Sequence, residues 1–300
     1  MSAEMKWIVG LDLRPLSQGA LHFARWLATV SRAADGEQLV GVHVLEEEHL
    51  RVVLCYHHLD EVVESARAGV ARLLEQAGAS AYIRDLQVIQ GLTADEALDA
   101  ARASFQADAI LVGRAARREG HQLVRLGRVA RHLLQRATSP VLVVPPDLEL
   151  GDVGSGPIVA LTRLGDESIE PCRLAARMAK RLGLGLALLH VVPLPEELGA
   201  HLPAGTAERM RRDLLDEGQE SLATWAAAQG LGQARSTVRQ GPVVEEAAAF
   251  AAEQASPLLV AGSRPHGALE RVFARSVGIE LAATATRPVA VVPTAAAPAR

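Results

Sequence analysis

The feature that most constrains this chain is an internal repeat. Five short blocks recur in the same order, each 147 to 150 residues further along a chain of 300 residues. They are WIVGLD (7–12) with PIVALT (157–162), GVHVL (41–45) with LLHVV (188–192), VIQGLTADEA (88–97) with VRQGPVVEEA (238–247), ILVGR (110–114) with LVAGS (259–263), and SPVLVVPP (139–146) with RPVAVVPT (287–294). One matching block could arise by chance, but five in order indicate a duplicated unit.

Each half alternates short β-branched runs with segments whose apolar residues recur at helical spacing. Helices are predicted at 15–33, 59–78, 93–106, 127–137, 167–182, 205–229, 242–255 and 276–285. Strands such as VLVVP are continuously apolar, which favours a parallel sheet covered on both faces. Each half is therefore predicted to be a doubly wound α/β domain of five strands.

The repeat also predicts the domain boundaries. Residues 1–147 form a first α/β domain, the Gly- and Asp-containing stretch 148–156 is a linker, and residues 157–296 form a second α/β domain.

Composition limits the classes of partner. The net charge is -4 and aromatic residues make up only 3% of the chain, so nothing in the overall charge favours DNA or an anionic membrane. No apolar run is long enough to cross a bilayer and the N-terminus has no signal pattern, which predicts a cytoplasmic protein. Cys55 and Cys172 lie in different halves and indicate neither a disulfide framework nor a zinc ribbon.

Sites in doubly wound sheets lie at the carboxyl ends of the strands, where the strand order reverses. The loops after strands 1, 2 and 4 of each half are therefore the candidates. Neither GxGxxG after strand 1 nor GxxxxGK[ST] occurs, so the dinucleotide and P-loop fingerprints are absent from the sequence.

The blocks resemble those of the universal stress protein family in its tandem form. The resemblance rests on IVGLD, the HV of strand 2, the QG before the third helix, the glycine that ends strand 4 and the final PVxVVP pattern, and it covers almost the whole chain. It implies five-stranded parallel sheets of order 3-2-1-4-5 that pair through their fifth strands. In one branch it also implies ATP bound by a loop G-x-x-G-x9-G-[ST], with an Asp after strand 1 and the backbone after the strand 2 His holding the adenosine.

Carried over to this chain, the resemblance gives a partial site in each half. In the first half Asp12, Val44, Gly113 and Gly127 match, whereas Ala116 replaces the second glycine and Arg128 replaces the Ser or Thr. In the second half Val191, Gly262 and Ser276 match. Thr162 aligns with the Asp, Pro265 replaces the second glycine and Arg275 replaces the third.

Glycines let backbone N–H groups approach phosphate, and a helix N-terminus adds a partial positive charge. Pro265 removes one of those donors and Arg275 adds bulk, so the usual cradle is incomplete. Both loops are nevertheless basic, and guanidinium groups bind phosphate through paired hydrogen bonds. Arg128, Arg264 and Arg275 are therefore candidate phosphate ligands. The other basic residues of these loops are Arg114, Arg117, Arg118, Arg125 and Arg271. The alternative is that these arginines form a solvated helix face.

Other clusters indicate less. CYHHLDE (55–61) could suggest a metal site, but surface histidines are the favoured interpretation. His43 and His190 occupy equivalent apolar strand positions, which favours packed, hydrogen-bonded histidines over catalytic bases. Asp12 lacks the acidic pair and lysine of a receiver domain. Ser17 and Ser276 have no nearby His with an orienting carboxylate, so no catalytic residue is predicted.

The resemblance thus implies a stress-response binding or sensor protein. Its expected cofactor is ATP with Mg²⁺, and its expected assembly is an internal pseudo-dimer through VLVVP (141–145) and VAVVP (289–293), with a homodimer left open. Two alternatives are kept: an interaction scaffold that binds no nucleotide, and a slow ATP hydrolase, for which His121 and His266 are the available bases.

Overall fold

The computed structural model describes residues 5–13, 18–31, 37–114, 126–136, 138–193, 206–263 and 276–294. The chain divides into two units. Unit 1 comprises Met1–Val153 with Arg181–Gly183 and Ala282–Thr284, and unit 2 comprises Gly154–Lys180, Leu184–Leu281 and Ala285–Arg300.

Unit 1 alternates strands and helices along the chain. Its elements are β1 (Lys6–Leu11), α1 (Gln18–Val30), β2 (Gln38–Glu46), α2 (Glu47–Val53), α3 (Leu59–Gln76), β3 (Asp85–Gly91), α4 (Ala94–Ser104), β4 (Ala109–Gly113), α5 (Arg128–Arg136) and β5 (Val141–Val144). Unit 2 repeats the pattern. Its elements are β6 (Ile158–Thr162), α6 (Ile169–Leu182), β7 (Leu186–Val192), α7 (Thr206–Ala228), β8 (Arg235–Gln240), α8 (Val243–Glu253), β9 (Leu259–Ser263), α9 (Val277–Thr284) and β10 (Val289–Pro293).

Within each unit the strands are parallel and neighbours are hydrogen-bonded. The order is β3-β2-β1-β4-β5 in unit 1 and β8-β7-β6-β9-β10 in unit 2. The α/β fold class predicted from the repeat is confirmed. In both units the order reverses between the first and fourth strands, which is where sheets of this kind place a ligand crevice.

Strands β4, β5 and β6 are buried along almost all of their length, which explains their continuous apolar sequences. All five residues of β6 and all four of β5 are buried, as are Ile110, Leu111 and Val112 of β4. The helices present one apolar stripe to the sheet, and in α4 that stripe contains Ala97, Leu98 and Ala101. Alternating polar strands would leave the covering helices without an apolar surface.

Each of the eight predicted helices has a counterpart in the described residues, and one helix was missed. Helix α2 follows β2 directly and carries Glu47 and Glu48 in its first turn, where acidic side chains favour a helix. Only seven residues long, it lies in a stretch that the helical spacing left unassigned. Short helices give too few repeats for a periodic signal.

The stretch predicted as a linker is packed and structured. Residues Leu150–Asp152 form a 3-10 turn, and Leu148 and Val153 are buried. Gly156 donates its N–H to the carbonyl of Ala255 at 2.9 Å. A Cβ on Gly154 or Gly156 would overlap backbone atoms at residues 254 and 255, so these glycines allow close packing inside unit 2. The linker boundaries 148–156 stay a prediction.

Candidate functional site

The carboxyl ends of β1, β2 and β4 bring the first-half site residues to one edge of unit 1. Asp12 follows β1 directly and is half-buried, and Val44 lies near the end of β2 and is half-buried. Gly113 is the last residue of β4. Since β1 pairs with both β2 and β4, these three residues lie along the edge where the strand order reverses.

The second part of this site is the N-terminus of α5. Gly127 immediately precedes the helix and Arg128 is its first residue. The first turn of α5 contains no acidic side chain. N–H groups in the first turn of a helix have no partner inside the helix and favour an anion. The arrangement is therefore compatible with phosphate.

Gly113 and its counterpart Gly262 differ in their surroundings. Among the described residues, a Cβ added at Gly113 would have one neighbour within 4 Å, the Cβ of Ala20 at 3.6 Å, which is an ordinary contact. At Gly262 a Cβ would lie 3.2 Å from Pro171 Cγ and 3.3 Å from both the carbonyl oxygen of Glu167 and Thr294 Cγ2. Packing therefore explains the glycine in unit 2, whereas in unit 1 the described residues leave room for a side chain that the sequence omits.

Arg128 is held by a carboxylate. Its Nη2 donates to Glu46 Oε1 at 2.5 Å and Oε2 at 2.6 Å. Glu46 Oε1 also accepts the N–H of Ala94, the first residue of α4, at 2.9 Å. The Glu46 side chain is 13% exposed and that of Arg128 is 52% exposed. The candidate phosphate ligand Arg128 is thus paired with a carboxylate at the end of β2.

Two more basic side chains on the same face of α5 contact carboxylates of α4. His132 Nδ1 lies 3.4 Å from Asp95 Oδ1, and Arg136 Nη1 lies 3.7 Å from Glu96 Oε1. Arg128, His132 and Arg136 are four residues apart and so project from one side of the helix. Asp95 is 4% exposed, and its Oδ1 accepts no hydrogen bond from the described residues. These three contacts are called the α5 ion-pair ladder below.

In unit 2 the strand pairing shifts the alignment of the first strand by one residue. Leu11 is opposite His43 in unit 1, and Thr162 is opposite His190 in unit 2. The pairing of β1 with β4 and the pairing of β6 with β9 give the same one-residue shift. Thr162 is therefore the counterpart of Leu11, and the residue in the place of Asp12 is Arg163. The sequence alignment of Thr162 with the Asp is wrong by one position.

The loop after β6 closes on itself. Thr162 is 1% exposed, and its Oγ1 accepts the N–H of Leu164 at 3.0 Å. Ser168 Oγ accepts the N–H of Arg163 at 2.9 Å. These hydroxyls satisfy backbone donors at the position that the resemblance assigns to the adenosine. Unit 2 therefore has an exposed cation where unit 1 has a carboxylate.

The remaining unit 2 candidates are largely buried. Val191 is 5% exposed and Ser276 is 8% exposed. Ser276 occupies the N-cap position of α9, but its side chain makes no capping hydrogen bond. Arg264 and Arg275 lie outside the described residues, as do Ala116, Pro265, His121 and His266.

Arg114 follows Gly113 and is 6% exposed, so it does not lie on a solvated helix face. Burial lowers the pKa of Arg114 from its ordinary value, and the nearby Asp147 opposes that shift. Arg114 is thus a buried structural cation at the end of β4.

The two strand histidines are hydrogen-bonded, as predicted. His43 Nδ1 lies 2.9 Å from the carbonyl oxygen of Leu11, and His190 Nδ1 lies 3.0 Å from that of Thr162. A carbonyl only accepts, so Nδ1 is the donor in both rings. Each histidine therefore ties its strand to the end of the first strand of its unit.

Around Cys55, His57 lies 3.6 Å from Glu61, and the N–H of His58 donates to the Glu61 carboxylate at 3.3 Å at the start of α3. In the part of the chain that the structure describes, no three His, Cys, Asp or Glu side chains are placed to hold a metal ion. None of the described helices combines the length and apolar character that crossing a membrane requires.

Five residues of this edge were not singled out by the sequence analysis: Glu46, Asp95, Glu96, His132 and Arg136. Glu46 stands immediately after the HVL of strand 2, and His132 is four residues from Arg128. That spacing could have indicated a shared helix face. The carboxylates that contact the α5 side chains could not have been found from spacing, because they lie on other elements, β2 and α4.

The sequence profile of the universal stress protein family matches residues 5–145 and 156–293. A universal stress protein from Archaeoglobus fulgidus has 17% identity and a TM-score of 0.65, covering 96% of this chain and 98% of its own. A functionally unknown protein from Pseudomonas aeruginosa has 14% identity and a TM-score of 0.67, covering 98% and 94%. A universal stress protein in complex with cAMP has 19% identity and a TM-score of 0.35, covering 47% of this chain and 99% of its own.

No curated protein matches the chain. The solved structures share too little sequence to show more than the fold, but the family profile covers both halves. Two tandem α/β units, in each of which the strand order reverses between the first and fourth strands, define the class. The chain belongs to the universal stress protein family.

Proposed function

We propose that this chain is a stress-response binding or sensor protein that binds an adenine nucleotide, ATP with Mg²⁺ or a relative of it, in unit 1. The proposal extends to a cytoplasmic location and to binding without turnover. The observation that carries it is the space at Gly113, where a missing side chain is not explained by packing among the described residues. A glycine of that kind suits the close approach of a ligand to the backbone.

The neighbouring residues support the same site. Asp12 and Val44 lie at the ends of β1 and β2, on the side where the family resemblance expects the adenosine. Gly127 and the N-terminus of α5 lie on the side where it expects phosphate. These groups can bind a nucleotide and orient it, and the Mg²⁺ would supply charge neutralisation between the phosphates.

Unit 2 is less suited to the same ligand. The space at Gly262 is filled by Pro171, Glu167 and Thr294, and the place of Asp12 is taken by Arg163. Because unit 2 lacks both the acceptor and the room, we assign the nucleotide to unit 1 alone.

The test is equilibrium dialysis of labelled ATP-Mg²⁺ against wild-type protein and the variants Gly113→Ala and Asp12→Asn. We expect each substitution to weaken binding about tenfold or more, since each removes the room or the acceptor that a ligand needs. Thermal unfolding of Gly113→Ala should match wild type, because the added Cβ makes only an ordinary contact at 3.6 Å.

The matched control is Gly262→Ala. Its Cβ is crowded at 3.2–3.3 Å, so it should lower the melting temperature and leave nucleotide binding unchanged. No retention of either labelled ATP or labelled AMP by wild-type protein at millimolar ligand would reject nucleotide binding and leave the scaffold alternative. Phosphate release above the buffer rate would instead favour the slow hydrolase.

We further propose that β5 and β10 pair, as the apolar final strands of the two halves predict. Apolar edge strands need covering, and a second copy of the chain is the alternative cover. Light scattering after size-exclusion chromatography separates these cases. A one-chain mass supports pairing within the chain, and a two-chain mass favours a homodimer.

A further inference from the structure

The end of β2 places a carboxylate of the chain itself beside the proposed phosphate position. Glu46 accepts from Arg128 Nη2 at 2.5 and 2.6 Å and from the N–H of Ala94 at 2.9 Å. His49 Nδ1 also lies near this carboxylate, 3.7 Å from Glu46 Oε2. The negative charge of Glu46 is therefore stabilised by a guanidinium and by the N-terminus of α4, which favours an anion.

Arg128 keeps hydrogen-bonding capacity in this arrangement. Only Nη2 is engaged, and no described residue accepts a hydrogen bond from Nε or Nη1. The side chain is 52% exposed. A guanidinium has five N–H donors in a planar fork, so Arg128 can bind a phosphate oxygen while it remains paired with Glu46. A phosphate bound in this way shares the Arg128 guanidinium with the Glu46 carboxylate.

The α5 ion-pair ladder limits how far Glu46 and Arg128 can separate. Below Arg128 on the same face, His132 contacts the buried Asp95 at 3.4 Å and Arg136 contacts Glu96 at 3.7 Å. Asp95 and Glu96 belong to the first turn of α4. The N–H of Ala94 in the same turn donates to Glu46. Moving α5 away from Glu46 would disturb all three contacts together.

Unit 2 has no equivalent of this pair. The repeat offset of the strand 2 histidines places Pro193 at the position of Glu46, and the loop alignment places Ser276 at that of Arg128. Neither side chain carries a charge. The paired carboxylate is thus specific to the unit that keeps Asp12 and the space at Gly113.

We propose that Glu46 is a specificity-determining residue that makes the unit 1 site select a nucleotide with a single phosphate over a triphosphate. This rests on the proposed function of unit 1. Glu46 offsets the charge of Arg128, so every additional phosphate charge placed nearby gains less attraction and meets more repulsion. At about 6 Å in water-like surroundings, one unit charge changes the affinity for another by roughly threefold.

The experiment is isothermal titration with AMP and with ATP, in EDTA at low salt, for wild type, Glu46→Gln and Arg128→Ser. Glutamine retains an acceptor for Ala94 and Arg128 but removes the charge. We expect wild type to bind AMP at least as tightly as ATP. In Glu46→Gln, ATP should bind about three- to tenfold tighter and AMP less than about threefold tighter. Arg128→Ser should weaken ATP more than AMP, because it leaves the Glu46 charge uncompensated.

Glu64→Gln is the matched control. Glu64 lies on α3 of the same unit, is 74% exposed and pairs with Arg67 at 3.7 Å, so its replacement makes the same change in net charge away from the site. It should leave both affinities unchanged. Raising the salt concentration should shrink the Glu46→Gln effect, since exposed charges are screened.

The outcomes separate the two proposals. If nucleotides bind but Glu46→Gln shifts AMP and ATP equally, or tightens neither, the specificity role of Glu46 is overturned and nucleotide binding stands. If neither nucleotide binds wild type or Glu46→Gln, nucleotide binding fails and the role of Glu46 fails with it. Wild type that binds ATP more tightly than AMP also overturns the role of Glu46. The inference is supported when wild type binds AMP at least as tightly as ATP and Glu46→Gln tightens ATP more than AMP.

Discussion

A glycine can be kept for opposite reasons at matching positions of a repeat. Gly262 is required because Pro171, Glu167 and Thr294 crowd the place of a side chain, whereas Gly113 has one ordinary neighbour there among the described residues. The repeat alignment identifies both glycines and makes them look equivalent. Their difference depends on contacts with other elements, which a single sequence does not contain.

The two cysteines are also separated by their surroundings. Cys172 is fully buried and Cys55 is exposed. Burial raises the pKa of the Cys172 thiol to about 12 from an ordinary value of 9.0. The folded state therefore keeps this thiol neutral where the unfolded state would ionise, and its contribution to stability is lost as the pH rises above 9.0.

We predict that a thiol reagent at pH 8 modifies one cysteine per native chain promptly and the second only at the rate of unfolding. The thiolate is the reactive form, and Cys172 supplies almost none of it while folded. Absorbance of the released thiol product follows both phases. Cys55→Ser should remove the fast phase alone, and rapid reaction of two thiols in native protein would contradict the buried state of Cys172.

At the level of elements, a clamp in unit 2 joins edge strand β8 to helix α8. Arg239 of β8 forms ion pairs with Glu253 and with Glu246, the latter at 3.5 Å, and its guanidinium lies 4.9 Å from the ring centroid of Phe250. The hydrogen bond from Arg239 holds the pKa of Glu253 below its ordinary value. The contact joins elements adjacent in sequence, so it reinforces local packing.

Because the folded pKa of Glu253 is depressed, its contribution to stability is present above the ordinary carboxyl pKa and disappears as the pH falls through the folded value. We predict that Glu253→Gln lowers the melting temperature by about a degree at pH 7, since an exposed ion pair contributes little, and by less at about pH 3. Thermal unfolding followed by circular dichroism measures this. Glu217→Gln, an exposed carboxylate of α7, should change neither value; an equal loss at both pH values would mean that packing rather than charge is involved.

The elements also show what the sequence can and cannot predict. Helical spacing finds the eight longer helices because their apolar stripes repeat over several turns, while α2 is too short for such a pattern. The repeat locates β6 but assigns its register one residue away, since apolar strands of similar composition align almost equally well in either position. The strand pairing in the structure determines it, with Thr162 opposite His190. The α5 ion-pair ladder escapes prediction because its carboxylates come from β2 and α4.

For the whole molecule, two units of one strand order carry different site residues. Unit 1 has Asp12 and a Gly113 with one ordinary neighbour among the described residues, and unit 2 has Arg163 and a filled position at Gly262. A duplicated fold therefore does not imply a duplicated site. Function has to be argued from the residues of each copy.

We predict a stoichiometry of one nucleotide per chain. Isothermal titration should give one binding event, which Gly113→Ala weakens about tenfold or more and Gly262→Ala leaves intact. Two events of similar affinity in wild type would show that Arg163 and the packing around Gly262 still permit a ligand, and would contradict the assignment to unit 1.

The filled position at Gly262 has a consequence for how this chain tolerates change. If one copy of a duplicated unit leaves space for a ligand and the other fills that space with its own side chains, substitutions in the two copies affect different properties. Substitutions near Gly262 would then lower the stability of the fold without affecting ligand binding. Those near Gly113 would weaken ligand binding and leave the protein well folded.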